Sequence, residues 1–259
     1  MGRGAVSMYF DSHAHYDSRQ FDSDREELLA ALPELGVEGV VDPGCDGESS
    51  RLALRIAEEH GFVYAAVGWH PQEWESWTAE SLGEIRALAA HPKAVAIGEI
   101  GLDYYWDREH RELQEEMLRA QLALALELDM PVIIHDRDAH ADCLRITLEY
   151  PGLRGVYHCF SGSAQMARQL LYAGWYLGFD GPITYKNARR NLEALAECPL
   201  GRILIETDSP YLTPEPNRGR RNDSSQLRYV VRRIAEVKGL TEEAVAAATA
   251  ENARRLFNI

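Results

Sequence analysis

The alternation that decides the fold is clearest in residues 94–135, which read AVAIGEIGLDYYWDREHRELQEEMLRAQLALALELDMPVIIH. Short apolar runs at 94–97 and 132–134 flank a longer amphipathic stretch at 109–128. Such short runs are typical of strands covered on both faces, and the amphipathic stretch is typical of a helix with one buried side. The segment therefore predicts a β-α-β unit with two parallel strands.

The same alternation extends through the rest of the chain. Further candidate strands lie at residues 8–11, 39–42, 63–67, 155–157, 175–178 and 203–205, and further candidate helices at 26–35, 50–60, 79–90, 226–238 and 241–257. About eight βα units thus fit into 259 residues, and a (β/α)8 barrel needs about 250. No GxGxxG motif follows the first strand, which disfavours a dinucleotide-binding sheet. We therefore predict an α/β fold, a TIM (β/α)8 barrel whose site lies at the C-terminal strand ends.

No linker rich in Pro, Gly or Ser divides the chain, so we expect a single barrel domain at residues 8–259. Residues 1–7 are expected to form a flexible N-terminal extension. No apolar run approaches the roughly 18 residues of a membrane span, and the first residues lack the apolar core of a secretory signal. The four cysteines form no CxxC pair, which indicates reduced thiols in a cytoplasmic protein.

Acidic residues outnumber basic ones in this chain. There are 27 Lys and Arg against 41 Asp and Glu, which gives a net charge of −14. This charge excludes a protein that holds polyanions through bulk positive charge, although it is compatible with a local phosphate site. Arg218, Arg220 and Arg221 form such a local basic loop. They suit bidentate phosphate binding, and a solvated loop is the alternative.

Metal-ligand residue types follow several of the predicted strands. His13 and His15 lie on one side of an extended chain after the first strand, but a lone HxH equally fits two solvated histidines. Four more candidates follow later strands, namely Glu99, His135, His158 and Asp208. Six ligands exceed the needs of one tetrahedral ion, so the set predicts two divalent ions with Glu99 between them. Imidazoles suit Zn, Mn, Fe or Ni, whereas Mg prefers oxygen ligands, so the set leaves the metal open among Zn, Mn, Mg, Ni and Fe.

The other histidines and the aromatic residues are interpreted differently. His70, in GWHP after the third strand, is a candidate substrate contact. We expect structural roles for His60, His91, His110 and His140. We expect Cys159 to point away from His158 and not to be a ligand. Six aromatic residues lie near the ends of the third and fourth strands, namely Trp69, Trp74, Trp77, Tyr104, Tyr105 and Trp106. They could stack on nucleic-acid bases, or they could pack against one another in the loops at the rim of the barrel.

Several of these segments together resemble the TatD family of metal-dependent hydrolases. The motifs are DSHAH, GWHP, IGEIGLDYYW, IIHDRDA, YHCFSGS, ETDSPYLTP and RGRRN, in the family's order over about residues 8–257. The resemblance implies a TIM barrel related to the amidohydrolases, two divalent ions and DNase activity.

The resemblance also implies roles for individual residues. His13, His15 and Asp208 match the first metal site, His135 and His158 the second, Glu99 the bridging carboxylate and His70 a histidine lining the site. Asp208 also matches the catalytic base. Two departures stand out: Asp136 replaces a small hydroxyl residue, where it weakens phosphate binding or rests against Arg137, and residues 222–224 read Asn-Asp-Ser instead of Asn-Glu-Pro.

The leading hypothesis is a two-metal deoxyribonuclease of 3′ exonuclease type, acting on single strands or frayed ends through an activated water. Asp208, Glu99 and His70 would be the catalytic residues, and Arg218 and Arg220 would join His70 in binding substrate. No membrane and no obligate protein partner is expected. The alternative is a hydrolase of a small ester, lactone or amide; such amidohydrolases often use a carboxylated lysine where Glu99 stands here. A non-enzymatic metal-binding protein is the third possibility.

Overall fold

The computed structural model describes residues 8–259, so the predicted extension at residues 1–7 lies outside the described residues. Its eight strands form one parallel sheet in sequence order. They are β1 Tyr9–Asp11, β2 Val37–Pro43, β3 Val63–Val67, β4 Ala94–Asp103, β5 Val132–Arg137, β6 Gly155–Tyr157, β7 Tyr176–Phe179 and β8 Ile203–Ile205. The predicted β/α alternation is therefore present along the described chain.

The sheet closes because the segment after β8 returns to the segment after β1. The backbone N–H of Ser12 donates to the carbonyl of Ile205 at 3.0 Å, and that of Asp208 donates to the carbonyl of His13 at 2.9 Å. A parallel bridge between Ala14 and Ser209 extends this contact. The predicted TIM (β/α)8 barrel is confirmed.

Helices connect successive strands and cover the outside of the barrel. They are α1 Arg25–Ala31, α2 Gly47–Glu59, α3 Ser81–Ala89, α4 Arg111–Glu127, α5 His140–Leu148, α6 Ala164–Tyr172, α7 Arg189–Glu197, α8 Leu227–Lys238 and α9 Glu242–Phe257. Local signals set several ends. Asp46 and Ser49 form a capping box at the start of α2, and Gly239 ends α8 in a left-handed conformation.

Some observed boundaries differ from the predicted ones. The predicted helix at 26–35 is divided, because α1 passes into a 3-10 turn, Leu32–Leu35, that contains Pro33. β4 continues six residues beyond the predicted end at Ile97, to Asp103. The glycines at 98 and 101 obscured this continuation, because glycine inside a strand pattern suggests a break.

The strands divide their buried side chains among three clusters. One cluster takes alternate positions from the strands, including Phe10, Val41, Ala96 and Ile133, together with Phe257 from the end of α9. The other two take the intervening positions and join them to the helices. The first cluster therefore fills the barrel interior, and α9 covers its N-terminal end. The open end is the one where the strands finish, which is where barrel enzymes hold their sites.

No helix among residues 8–259 is long and apolar enough to cross a membrane. All four cysteines are free thiols, as the scattered spacing predicted. The thiols of Cys45, Cys143, Cys159 and Cys198 therefore add no covalent cross-link to the barrel.

Gly101→Ala is expected to destabilise the barrel beside the candidate site. Gly101 has a φ of 153°, and a Cβ there would lie 1.9 Å from the backbone oxygen of His135. We expect a loss of about 1–3 kcal/mol or more in the free energy of unfolding, measured by urea denaturation. Gly83→Ala is the matched control, since nothing lies within 4 Å of its Cβ position in α3. A Gly101→Ala protein as stable as this control would contradict the close β4–β5 packing.

Candidate metal centre

The predicted ligands converge around the carboxylate of Glu99 at the open end of the barrel. His13 and His15 follow β1, His158 follows β6 and Asp208 follows β8, whereas His135 lies within β5. Glu99 lies inside β4 and not beyond its end, because β4 is longer than predicted. The barrel thus brings together six residues from five segments that are far apart in sequence.

Each oxygen of Glu99 faces its own group of imidazoles. Oε1 lies 2.7 Å from Nδ1 of His135 and 2.8 Å from Nε2 of His158. Oε2 lies 3.4 Å from Nε2 of His13 and 3.5 Å from Nε2 of His15. Oδ1 of Asp208 lies 3.7 Å from each of the latter two nitrogens. The two oxygens of the carboxylate therefore have different nearest imidazoles, although the rings of His13 and His158 stack on each other.

The donor atoms fit divalent cations. Nε2 of His13 and Nε2 of His15 lie 3.1 Å apart, and Nδ1 of His135 and Nε2 of His158 lie 3.3 Å apart. Ring nitrogens that face each other so closely need a proton or a cation between their lone pairs. In two groups, His13 with Glu99 and His158, and His13 with His15 and Asp208, the donor atoms lie within 4.8 Å of one another. Atoms that share one ion at about 2.0–2.2 Å must lie this close.

Burial and neighbouring charges shift the acidity of the cluster. Burial alone would raise the pKa of Glu99, but the surrounding imidazoles hold that pKa well below its usual value. Burial lowers the pKa of His13 well below 6.5, so this ring stays neutral, as a ligand must be. Burial opposes protonation of His135, yet its hydrogen bonds to Asp103 and Glu99 raise its pKa to about 10. Burial also raises the pKa of Asp208.

His70 lies beside the cluster with a defined tautomer. Its Nδ1 accepts a hydrogen bond from the backbone N–H of Gln72 at 3.1 Å, so the ring proton belongs on Nε2. Nε2 lies 3.6 Å from Oε1 of Glu99. Burial lowers the pKa of His70 to about 3, so the ring is a neutral hydrogen-bond donor that faces the site.

Asp103 contacts the ring nitrogen of His135 that faces away from Glu99. The sequence had assigned Asp103 no role. Its Oδ2 lies 3.1 Å from Nε2 of His135 and accepts a hydrogen bond from Nε2 of Gln72 at 2.7 Å. Burial opposes ionisation of Asp103, but the bond to His135 lowers its pKa to about 2. The sequence feature that could have placed Asp103 at the site is strand alternation, because residues 99, 101 and 103 lie on one side of an extended strand.

Asp103→Asn is expected to weaken metal binding by about 10- to 100-fold, since a neutral amide orients the His135 ring less strongly and makes it less basic. The measurement is the metal dissociation constant from titration of the metal-free protein. The asparagine Oδ1 still accepts the backbone N–H groups of Tyr105 and Trp106, as Asp103 does at 3.0 and 3.1 Å, so the loop is retained. Unchanged metal affinity would show that Asp103 does not support His135.

Two further residues approach His15 without having been singled out from the sequence. Oδ1 of Asp17 lies 3.7 Å from Nδ1 of His15. Cys45 joins His15 and Glu99 in another group of candidate ligands. Burial raises the pKa of the Cys45 thiol to about 12, and a protonated thiol is a weak ligand. We therefore expect Asp17 to orient the His15 ring, and we do not expect Cys45 to act as a metal ligand in place of His15.

The histidines expected to be structural each contact an acidic side chain outside the cluster. The pairs are His60 with Glu26, His91 with Glu58, His110 with Asp107 and His140 with Asp136, at 2.8–3.1 Å. The last pair corrects one expectation. Asp136 does not rest against Arg137, because these neighbours point to opposite sides of β5.

Residues of the altered loop after β8 form buried hydrogen bonds that stabilise the fold. Nδ2 of Asn222 donates to the carbonyl oxygens of Thr207 and Tyr211 at 2.8 and 2.7 Å. Oγ of Ser224 donates to Oδ2 of Asp11 at 2.6 Å. Both Asn222 and Ser224 are buried. Asn222 therefore fixes the backbone on either side of Asp208, and Ser224 ties the loop to the end of β1.

The three loop arginines have different surroundings in the structure. Arg221 forms an ion pair with Asp24 at 2.5 Å, which gives it a structural partner. The guanidinium carbon of Arg218 lies 4.3 Å from the ring centroid of Tyr185. Arg218 and Arg220 are both exposed, and their predicted phosphate contacts stay predictions.

The aromatic group near the third and fourth strand ends is also divided. Trp69 is buried and packs edge-on against Trp77, while Trp74 stacks on His110. Tyr105 and Trp106 are instead 57% and 65% exposed. Packing thus explains the tryptophans of the third loop but not the pair after β4.

Comparisons with known proteins agree with the fold and identify the family. Residues 10–258 match the family described as TatD related DNase. An uncharacterized metal-dependent hydrolase, YabD of Bacillus subtilis, is 46% identical over 97% of this chain and 100% of its own length. The 3′-5′ ssDNA/RNA exonuclease TatD of Cronobacter turicensis is 38% identical over 96% of this chain and 97% of its own length.

A solved structure gives the same result. The crystal structure of YjjV, a TatD homologue from Escherichia coli, superposes with a TM-score of 0.92 at 32% identity. The match covers 98% of this chain and 99% of the other. With the family match over nearly its whole length and its His, Glu and Asp cluster at the open end of the barrel, the chain belongs to the TatD-related DNase family and is a metal-dependent hydrolase.

Proposed function

We propose that this hydrolase is a two-metal 3′ exonuclease that cleaves phosphodiester bonds in single-stranded nucleic acid, DNA above all, without an obligate protein partner. One observation carries the proposal: the two oxygens of Glu99 face two separate groups of imidazoles. A carboxylate in that position suits a bridge between two cations. The nuclease name of the relative from Cronobacter turicensis supports the choice of substrate.

His13, His15 and Asp208 would hold one ion, His135 and His158 the other, and Glu99 both. Such ions, when bound, supply Lewis acidity that stabilises charge on a phosphate and makes water more acidic. The imidazole content suits Zn, Mn, Fe or Ni, and the carboxylates of Glu99 and Asp208 leave Mg compatible.

Protein side chains would carry out the proton transfer and bind the substrate. Asp208 would accept the proton of the attacking water, and its raised pKa makes it a stronger base than an exposed aspartate. His70 would donate its Nε2 proton in a hydrogen bond to a phosphate oxygen of the substrate, because Gln72 occupies its other nitrogen. Arg218 and Arg220 would bind a flanking phosphate.

The net charge of −14 argues for binding focused at the mouth of the barrel. A protein of this charge repels a long duplex, and a single strand can be guided by a few local cations and rings. Single-stranded ends are therefore the favoured substrates.

The test is digestion of single-stranded DNA labelled at its 3′ or its 5′ end, with magnesium, manganese or zinc and with a chelator as control. We expect the 3′ label to be released at once as mononucleotide, while the 5′-labelled strand shortens stepwise. The chelator is expected to stop both. No cleavage with any metal would overturn the nuclease proposal; turnover of an ester, lactone or amide by the same preparation would then establish the small-molecule alternative.

A further inference from the structure

Two exposed aromatic rings stand at the rim of the barrel beside the candidate metal centre. The backbone N–H groups of Tyr105 and Trp106 donate to Oδ1 of Asp103 at 3.0 and 3.1 Å. Oδ2 of the same carboxylate lies 3.1 Å from Nε2 of His135. The backbone that carries the rings is therefore tied to the metal centre through one side chain, yet both rings are more than half exposed.

Arg137 stands next to these rings. It lies two residues beyond His135 on β5, so both side chains leave the strand on the same side. Its guanidinium carbon lies 4.1 Å from the ring centroid of Tyr105 and 5.6 Å from that of Trp106. Among residues 8–259 Arg137 forms no ion pair, and the neighbouring Asp136 pairs with His140 instead.

The geometry points to a nucleotide subsite formed by Trp106 and Arg137, which binds one nucleotide of the strand next to the cleaved bond. The inference rests on the proposed nuclease function. A base would stack on the ring of Trp106, and the guanidinium of Arg137 would bind the adjoining phosphate. Tyr105, whose ring lies against Arg137, would hold that guanidinium in place.

The chemistry of the pair selects this ligand. An exposed ring beside a cation without a carboxylate partner complements a base joined to a phosphate. Bases of a single strand are free to stack on protein, whereas those in a duplex already stack on one another. Because every base has an aromatic face, the subsite would accept all four bases with little preference.

Trp106→Ala tests the stacking. On single-stranded DNA we expect KM to rise by roughly 5- to 100-fold with little change in kcat, because stacking is worth that much per base. Trp106→Phe should recover most of the loss. Tyr172→Ala is the matched control, since this ring is 97% exposed at the end of α6, on the opposite face of the barrel from the metal centre; it should leave KM unchanged.

Strands with one abasic residue at successive positions near the 3′ end separate stacking from a general effect. At the position that occupies the subsite, removal of the base should raise the KM of the wild-type protein and leave the KM of Trp106→Ala unchanged. Arg137→Gln should instead weaken natural and abasic strands alike and reduce the dependence of KM on salt, since it removes a phosphate contact.

The outcomes distinguish this inference from the proposed function. Cleavage of single strands by the wild type, with equal KM values for Trp106→Ala and Tyr172→Ala, would overturn the subsite and leave the nuclease intact. An equal loss on natural and abasic strands at every position would also overturn the stacking. No binding or cleavage of any strand by the wild type would overturn both proposals.

Discussion

Glu99→Gln is expected to reduce kcat/KM by roughly 1,000-fold or more. An amide is neutral and offers only one oxygen as a ligand, whereas each oxygen of Glu99 faces a different group of imidazoles. The change should also reduce the metal content of the protein, because the charge that balances the cations is lost. Kinetics on single-stranded DNA and elemental analysis of the dialysed protein measure the two effects.

Glu116→Gln provides the matched control for Glu99. Glu116 is exposed on α4 and undergoes the same chemical change, so its activity and metal content should equal those of the wild type. Glutamine has nearly the volume of glutamate, so thermal denaturation of metal-free Glu99→Gln should show a folded protein. Activity within ten-fold of the wild type in Glu99→Gln would contradict a carboxylate that serves two ions.

Asp208→Asn is expected to lower kcat by about 100- to 10,000-fold while most of the metal is retained, because the amide keeps one oxygen ligand but cannot accept the proton of water. Asp208 has a φ of 54°, and asparagine tolerates this left-handed conformation. The substitution therefore changes the chemistry and spares the backbone. Single-turnover cleavage with metal-loaded protein measures the chemical step without product release.

Asp129→Asn is the control for Asp208, since Asp129 has a φ of 53° and its side chain is 89% exposed, away from the cluster. It should retain wild-type kcat. If Asp208→Asn loses metal and activity in proportion, Asp208 is a ligand only; if kcat is unchanged, it is neither the base nor an essential ligand.

The barrel could be predicted from the sequence because its signals are local. Apolar runs and amphipathic stretches show strand and helix directly, and the rule that parallel strands end at one face then gathers His13, Glu99 and Asp208 without knowledge of any contact. Placement at the strand ends was therefore enough to propose the candidate ligands, and the family resemblance divided them between two ions.

Contacts between separate segments could not be predicted in this way. Asp103 lay beyond the predicted end of β4, so its contact with His135 was missed. The loop after β3 and the loop after β4 are both rich in aromatic residues, yet Trp74 packs on His110 and Trp106 faces solvent. Whether such a ring is covered depends on its neighbours in space, and the local sequence does not encode them.

The most direct test of the two-metal centre is the anomalous scattering from a crystal of the protein loaded with manganese or zinc. We expect two peaks about 3.5–4 Å apart, with the carboxylate of Glu99 between them. His13, His15 and Asp208 should contact one peak, and His135 and His158 the other. A single peak, or two peaks of which neither contacts Glu99, would contradict the two-metal centre.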